Sequence, residues 1–140
     1  MRRVFIDTGA WYALKNKNDP HHQEAVRFFQ SLPGKVICYT SDYVIDEAIT
    51  LTRARISHQV AATLAQELLS EKAAKIIFVA PDFLAMALEI FMKFKDQDFS
   101  FTDCTSFAIM KSLGMEEALA FDTHFVFEKF GLRQVNIDEF

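Results

Sequence analysis

Glycine (4) and proline (3) are scarce in this chain of 140 residues, and cysteine occurs only twice. So few turn residues argue against an all-β fold, which needs many tight turns. Cys38 and Cys104 stand far apart in apolar stretches and form no C-x-x-C pair, so neither a zinc finger nor a thioredoxin-like site is expected. Two buried free thiols fit a reducing, cytoplasmic compartment. No apolar run reaches membrane-spanning length, and the run after Arg2-Arg3 is too short for a signal peptide. A basic surplus is missing as well. The net charge of −4 counts mildly against a nucleic-acid partner, unless carboxylates are spent on metal ions that invert the local field.

Hydrophobic residues make up 51% of the chain and phenylalanine alone occurs 15 times. That supports a packed core in a single domain over residues 1–140. The apolar run Val4-Phe5-Ile6 reads as a buried strand, residues 3–7, broken by Gly9. Short helices follow over 9–16 and, after the Asn18-Asp19-Pro20 turn, over 20–31, with Ala25, Phe28 and Phe29 inward. A strand spans Lys35–Tyr39. Thr40-Ser41-Asp42 caps a long helix, 42–55, and Ser57 restarts one that runs to about 71. Lys75–Val79 reads as a third strand. Pro81 sits at the first position of another helix. A helix over 102–113, with Thr102 as its cap, ends at Gly114. A strand (Ala118–Phe121), a short helix (Thr123–Phe130) and a strand (Gln134–Ile137) close the chain. Strands alternating with helices predict an α/β fold: a parallel sheet flanked by helices on both faces.

Four acids stand out. Asp7 ends the first strand, where open α/β sheets keep their ligands, although an Asp at such a junction also caps helices. Thr8 beside it can cap or face a ligand. Glu47 lies next to the Val44/Ala48/Leu51 stripe of its helix, and a carboxylate near a core is costly unless paired or metal-bound. The plain alternative pairs it with Arg53 or Arg55. Asp46 falls on a more polar face. Asp103 suits the first turn of its helix through the dipole alone. Asp122 repeats the pattern of Asp7: apolar run, Asp-Thr, helix. Together the four suggest a site for a hard cation such as Mg²⁺ or Mn²⁺, able to support phosphodiester hydrolysis.

These segments resemble the PIN domain and, within it, the VapC toxin nucleases. The likeness rests on Val4-Phe5-Ile6-Asp7-Thr8, on Asn18-Asp19-Pro20-His21-His22-Gln23-Glu24-Ala25, on Thr40–Glu47, on Phe101-Thr102-Asp103-Cys104-Thr105-Ser106-Phe107-Ala108, and on Ala120-Phe121-Asp122-Thr123-His124-Phe125. It spans nearly the whole sequence, and the order and spacing are more specific than any one motif. The resemblance implies a three-layer α/β/α fold and a Mg²⁺- or Mn²⁺-dependent endoribonuclease acting through Asp7, Glu47, Asp103 and Asp122. It also implies a homodimer held by an antitoxin protein, with RNA as substrate. The negative charge departs from what an RNA binder usually shows.

Other readings compete. Asp7-Thr8-Gly9 is also the aspartic-protease tripeptide, but that fold is β-rich. A phospho-receiver would need a late-strand lysine that is not evident. A non-catalytic PIN-like binding module would be marked by loss of the acids, and all four are present. His21 and His22 lie in a turn and are expected to cap or face water, His58 stands near a helix start, and His124, after the Asp122 motif, either approaches substrate or is exposed structure; zinc would need a closer His/Cys set. Phe91, Phe94, Phe99, Phe101 and Phe107 fit a core, with an excess available for a dimer interface or an antitoxin groove. Lys15, Lys17, Arg53 and Arg55 are candidate phosphate contacts or plain surface charges.

Overall fold

A computed structural model describes residues 2–32, 34, 36–122 and 128–139. The strands are β1 (Arg2–Ile6), β2 (Val36–Ser41), β3 (Lys75–Ile77), β4 (Glu117–Leu119) and β5 (Arg133–Gln134). The helices are α1 (Thr8–Lys15), α2 (His22–Gln30), α3 (Asp42–Arg55), α4 (His58–Leu69), α5 (Pro81–Lys93) and α6 (Phe101–Leu113). All strand pairings are parallel, in the order β3-β2-β1-β4-β5. The expected parallel α/β/α architecture is therefore present.

The strand order positions the site. The crossovers from β1 to β2 to β3 run one way along the sheet, while the crossover from β3 to β4 returns past β1. With right-handed crossovers, α1–α4 cover one face and α5 and α6 the other. The direction in which strands are added reverses between β1 and β4, and ligand crevices of open sheets lie at such switch points, beyond the carboxyl ends of the strands. β1 is central and its Val4, Phe5 and Ile6 are fully buried. The indole N–H of Trp11 donates to Thr40 Oγ1 at 3.1 Å, and that hydroxyl donates to the Ile6 carbonyl at 3.1 Å. This relay ties α1 to both central strands within one turn of Asp7.

The helix residues Phe28, Phe107 and Leu64 belong to one hydrophobic core with Leu119 of β4, and Phe29 stacks on Trp11 at 5.2 Å. Gly114 ends α6 in the left-handed region (φ 68°) that favours glycine. Arg3 then donates to the carbonyls of Leu113 (2.9 Å) and Gly114 (3.3 Å).

Several boundaries differ from expectation. β3 stops at Ile77, leaving Phe78 67% exposed. β5 is Arg133–Gln134 rather than 134–137: the Val135 N–H still donates to the Ala118 carbonyl at 2.9 Å, but residues Ile137–Glu139 then close into a 3₁₀ turn. The alternation of Val135 and Ile137 mimics a strand. α6 begins at Phe101 with Ser100, not Thr102, as its cap. The helix expected over Thr123–Phe130 falls partly outside the described residues; within them, Glu128–Phe130 is a 3₁₀ turn. His124 also lies outside them.

Candidate active site

Asp7 sits at the N-cap position of α1, yet its side chain makes no capping hydrogen bond. Its backbone N–H donates to the Leu119 carbonyl at 3.1 Å, extending the β1–β4 ladder by one step to the sheet edge. Asp7 is only 4% exposed, and its Oδ1 has no hydrogen-bond partner. Thr8, 6% exposed, carries a second buried oxygen without a partner, Oγ1. The capping role open to Asp7 in the sequence is not the one it takes.

Ser41 caps α3 by accepting the Val44 N–H at 3.1 Å, which aims Glu47 from the second turn. Glu47 is half-buried beside Val44 and Ala48, while Asp46 is exposed. No ion pair engages Glu47 among the described residues. The arginine partners considered for it are not used: Arg55 lies over the Tyr12 ring, 5.7 Å from its centroid.

Asp103 is fixed by a capping box. Ser100 Oγ accepts the Asp103 N–H at 2.9 Å, and Asp103 Oδ2 accepts the Ser100 N–H at 3.0 Å. Asp122 follows β4 and is exposed at the rim.

All four acids line one cleft of about 450 Å³, together with Thr8, Gly9, Leu51, Asp98, Phe99 and Ser100. Asp98 and Ser100 went unnoticed in the sequence, since they lie in a loop with no periodic pattern. The Ser-x-x-Asp spacing of a capping box was the available signal for Ser100. Burial pushes the Asp7 carboxyl well above the usual carboxylate range, with the negative charges of Asp103, Glu47 and Asp122 adding to it and the Thr8 backbone N–H partly offsetting it. Burial also raises Asp103, opposed by its Ser100 hydrogen bonds and reinforced by Glu47 and Asp122. Among the described residues, no three acidic, His or Cys side chains are drawn together tightly enough to form a finished metal cage. The acids rim the cleft and repel one another.

The His21 side chain is exposed, as expected, and the His22 ring meets the last turn of α1. His22 Nδ1 lies 2.8 Å from the Ala13 carbonyl. His21, at the N-cap position of α2, makes no capping bond with its ring, which instead stacks on Phe121 at 4.4 Å beside Asp122. Lys15, a candidate phosphate contact, is paired with Glu67 at 2.8 Å.

The fold is thus that of a parallel α/β protein with an acid-lined cleft at the switch point of its sheet. The PIN domain family model matches residues 4–130, and the chain belongs to that family. It is 36% identical over 122 residues to the 23S rRNA-specific endonuclease VapC20 of Mycobacterium tuberculosis, covering 87% of this chain and 91% of that protein. The crystal structure of VapC20, described as a sarcin-ricin loop cleaving toxin, superimposes with a TM-score of 0.85 at 33% identity, covering 94% of this chain and 98% of that one. The fold alone is shared with FitAcB from Neisseria gonorrhoeae (TM-score 0.69, 15% identity, 98% and 99% coverage). It is shared likewise with Rickettsia felis VapBC2 bound to a promoter DNA fragment (TM-score 0.68, 10% identity, 96% and 98% coverage).

Proposed function

We propose that this protein is a metal-dependent endoribonuclease of the VapC kind, the toxin of a toxin–antitoxin pair, working in the cytoplasm. The observation that carries the reading is the convergence of Asp7, Glu47, Asp103 and Asp122 on one cleft at the switch point, in a chain with an rRNA endonuclease as a relative over nearly its full length.

The donor set fits Mg²⁺ or Mn²⁺. It is all oxygen, as hard divalent cations prefer. It includes two buried oxygens with no partner, Asp7 Oδ1 and Thr8 Oγ1. An uncompensated buried carboxylate costs several kcal/mol, roughly, and a cation relieves that cost. Asp7 and Asp103 would hold the ion most directly, Glu47 on its longer arm, and Asp122 from the rim. When bound, such an ion activates water and offsets charge building on the phosphodiester oxygens.

The chain's own groups do the rest. Ser100 orients Asp103 through two hydrogen bonds. Leu51 and Phe99 form apolar walls that lower the local dielectric and strengthen every charge interaction in the cleft. Thr8 presents a hydroxyl at the floor.

A homodimer forms, in this reading, through α5. Leu88 (51% exposed), Phe91 (45%) and Met92 (68%) share one helix face, and Phe101 meets Phe91 edge-on at 5.8 Å. A second copy of the chain covers this patch.

The test is cleavage of an RNA panel that includes 23S rRNA, with Mg²⁺, with Mn²⁺ and with EDTA. Metal-dependent cutting lost in Asp7→Asn supports the assignment. Equal cutting in EDTA removes the metal mechanism.

A further inference from the structure

A second cleft lies on the α5/α6 side of the molecule. Lys93 at the end of α5, Lys111 near the end of α6 and Lys129 converge on it around Phe94 and Phe130, enclosing about 320 Å³. In a chain of net charge −4, three cations on one cleft are a local reversal of sign. Four other cationic residues are committed to acids: Arg2 to Glu117 and Glu139, Lys15 to Glu67, Arg27 to Asp138, Arg133 to Glu116. Lys93, Lys111 and Lys129 form no ion pair among the described residues, although Glu89 shares the cleft wall. Instead, the ammonium groups of Lys93 and Lys129 lie over the Phe94 ring, 5.5 and 5.6 Å from its centroid. Ammonium groups held around a ring and engaged in no ion pair offer what a nucleic-acid backbone requires.

The cleft is close to the acids. Phe94 meets Phe99 at 6.4 Å, and Phe99 lines the acid cleft, so one ring contact separates the two. Along α6, Lys111 lies about 12 Å from Asp103 at the helical rise per residue.

We propose that the Lys93/Lys111/Lys129 cleft is an anchoring site for the RNA sugar-phosphate backbone, engaging phosphates away from the bond that is cut. The proposal rests on the nuclease reading for its choice of polyanion. It also answers the unfavourable net charge: the acids face the reacting phosphate, and the lysines supply the attraction that the acids cannot. The anchor occupies a face of α5 adjacent to, but distinct from, the Leu88/Phe91/Met92 patch.

The test is binding of a fluorescein-labelled RNA stem-loop to the full chain in EDTA, followed by anisotropy across a salt titration. The double variant Lys93→Gln/Lys111→Gln is compared with Lys72→Gln/Lys75→Gln, which removes the same charge from exposed lysines lining neither cleft. The expected result is about tenfold weaker binding at low salt for the first pair alone. Its slope of log affinity against log salt should flatten by roughly 0.7–0.9 per lysine. Lys93→Arg/Lys111→Arg should restore both. Equal slopes for the two Gln doubles would overturn the anchor. So would a cleft that selects an acidic polypeptide, with poly-glutamate binding lost and RNA binding kept. Lysine-dependent RNA binding by a wild-type protein that cuts no RNA with Mn²⁺ would support the anchor and count against the nuclease reading instead.

Discussion

The Asp103 carboxylate accepts the Ser100 backbone N–H at 3.0 Å while lining the acid cleft, so one side chain both closes the capping box of α6 and serves the site. Helix capping and the proposed catalytic role are compatible, because the box fixes where the carboxylate points. The two roles separate by mutation. Asp103→Asn keeps an acceptor for Ser100 and loses only charge. Its melting temperature should stay near wild type while cleavage falls by about a hundredfold or more. Asp103→Ala loses the cap as well and should be destabilised by about 1 kcal/mol. Thermal melts and single-turnover cleavage, read side by side, check the contrast.

Glu117 tests a different part of the fold. It is buried at the start of β4 and accepts two hydrogen bonds from Arg2, each 2.7 Å. Those bonds hold its carboxyl below the usual carboxylate range, against an opposing effect of burial. Its folded value is thus lower than its unfolded one, ordinarily about 4.3. The stability it contributes is present above that pH and is lost as the pH falls through the lowered folded value. Glu117→Gln should cost about 1–3 kcal/mol at neutral pH and should flatten the acid limb of the stability profile measured by urea titration.

The Arg2–Glu117 pair joins residues 115 positions apart, and no local pattern announces it. Asp7 was legible for the opposite reason: three fully buried strand residues lead straight to it. Periodicity likewise revealed α3 to α6, since their buried faces repeat locally. Ser100 and Thr102 both precede α6 as good caps, and only the backbone distinguishes them. Asp98 enters the cleft from a loop, where position is set by tertiary packing. The lysine cleft escaped notice because its members come from three separate segments. The candidate phosphate contacts follow the acidic motifs in sequence, and one of them, Lys15, is neutralised by Glu67.

The exposed α5 patch leads to a test of assembly. Met92 is 68% exposed and Phe91 45%, next to Phe101. Introducing Met92→Glu places a charge in the centre of the proposed contact, where burying it unpaired is strongly unfavourable. Light scattering should show a dimer for wild type and a monomer for the variant, with little change in the circular dichroism spectrum. A wild-type monomer at high micromolar concentration would count against the dimer.

Asp7 provides the sharpest test of the metal assignment. Burial, then the charge of Asp103, raises its folded pKa above the unfolded value of about 3.9. For an acid shifted upward, the metal-free fold is most stable while the group is protonated. Stability then declines as pH rises from the unfolded value toward the folded one, and levels off above it. Asp7→Asn removes this decline. In EDTA at pH 7 the variant should therefore melt higher than wild type, and the gap should close as the pH approaches 4. Adding Mn²⁺ should reverse the order, because a ligand that binds only the folded state stabilises it and the variant has lost part of the site. Calorimetry should show Mn²⁺ uptake by wild type and weaker uptake by Asp7→Asn. Equal Mn²⁺-induced shifts in the two proteins would mean that the ion, if bound, is held elsewhere. A variant that melts lower than wild type in EDTA would mean that Asp7 serves the fold rather than straining it for the site.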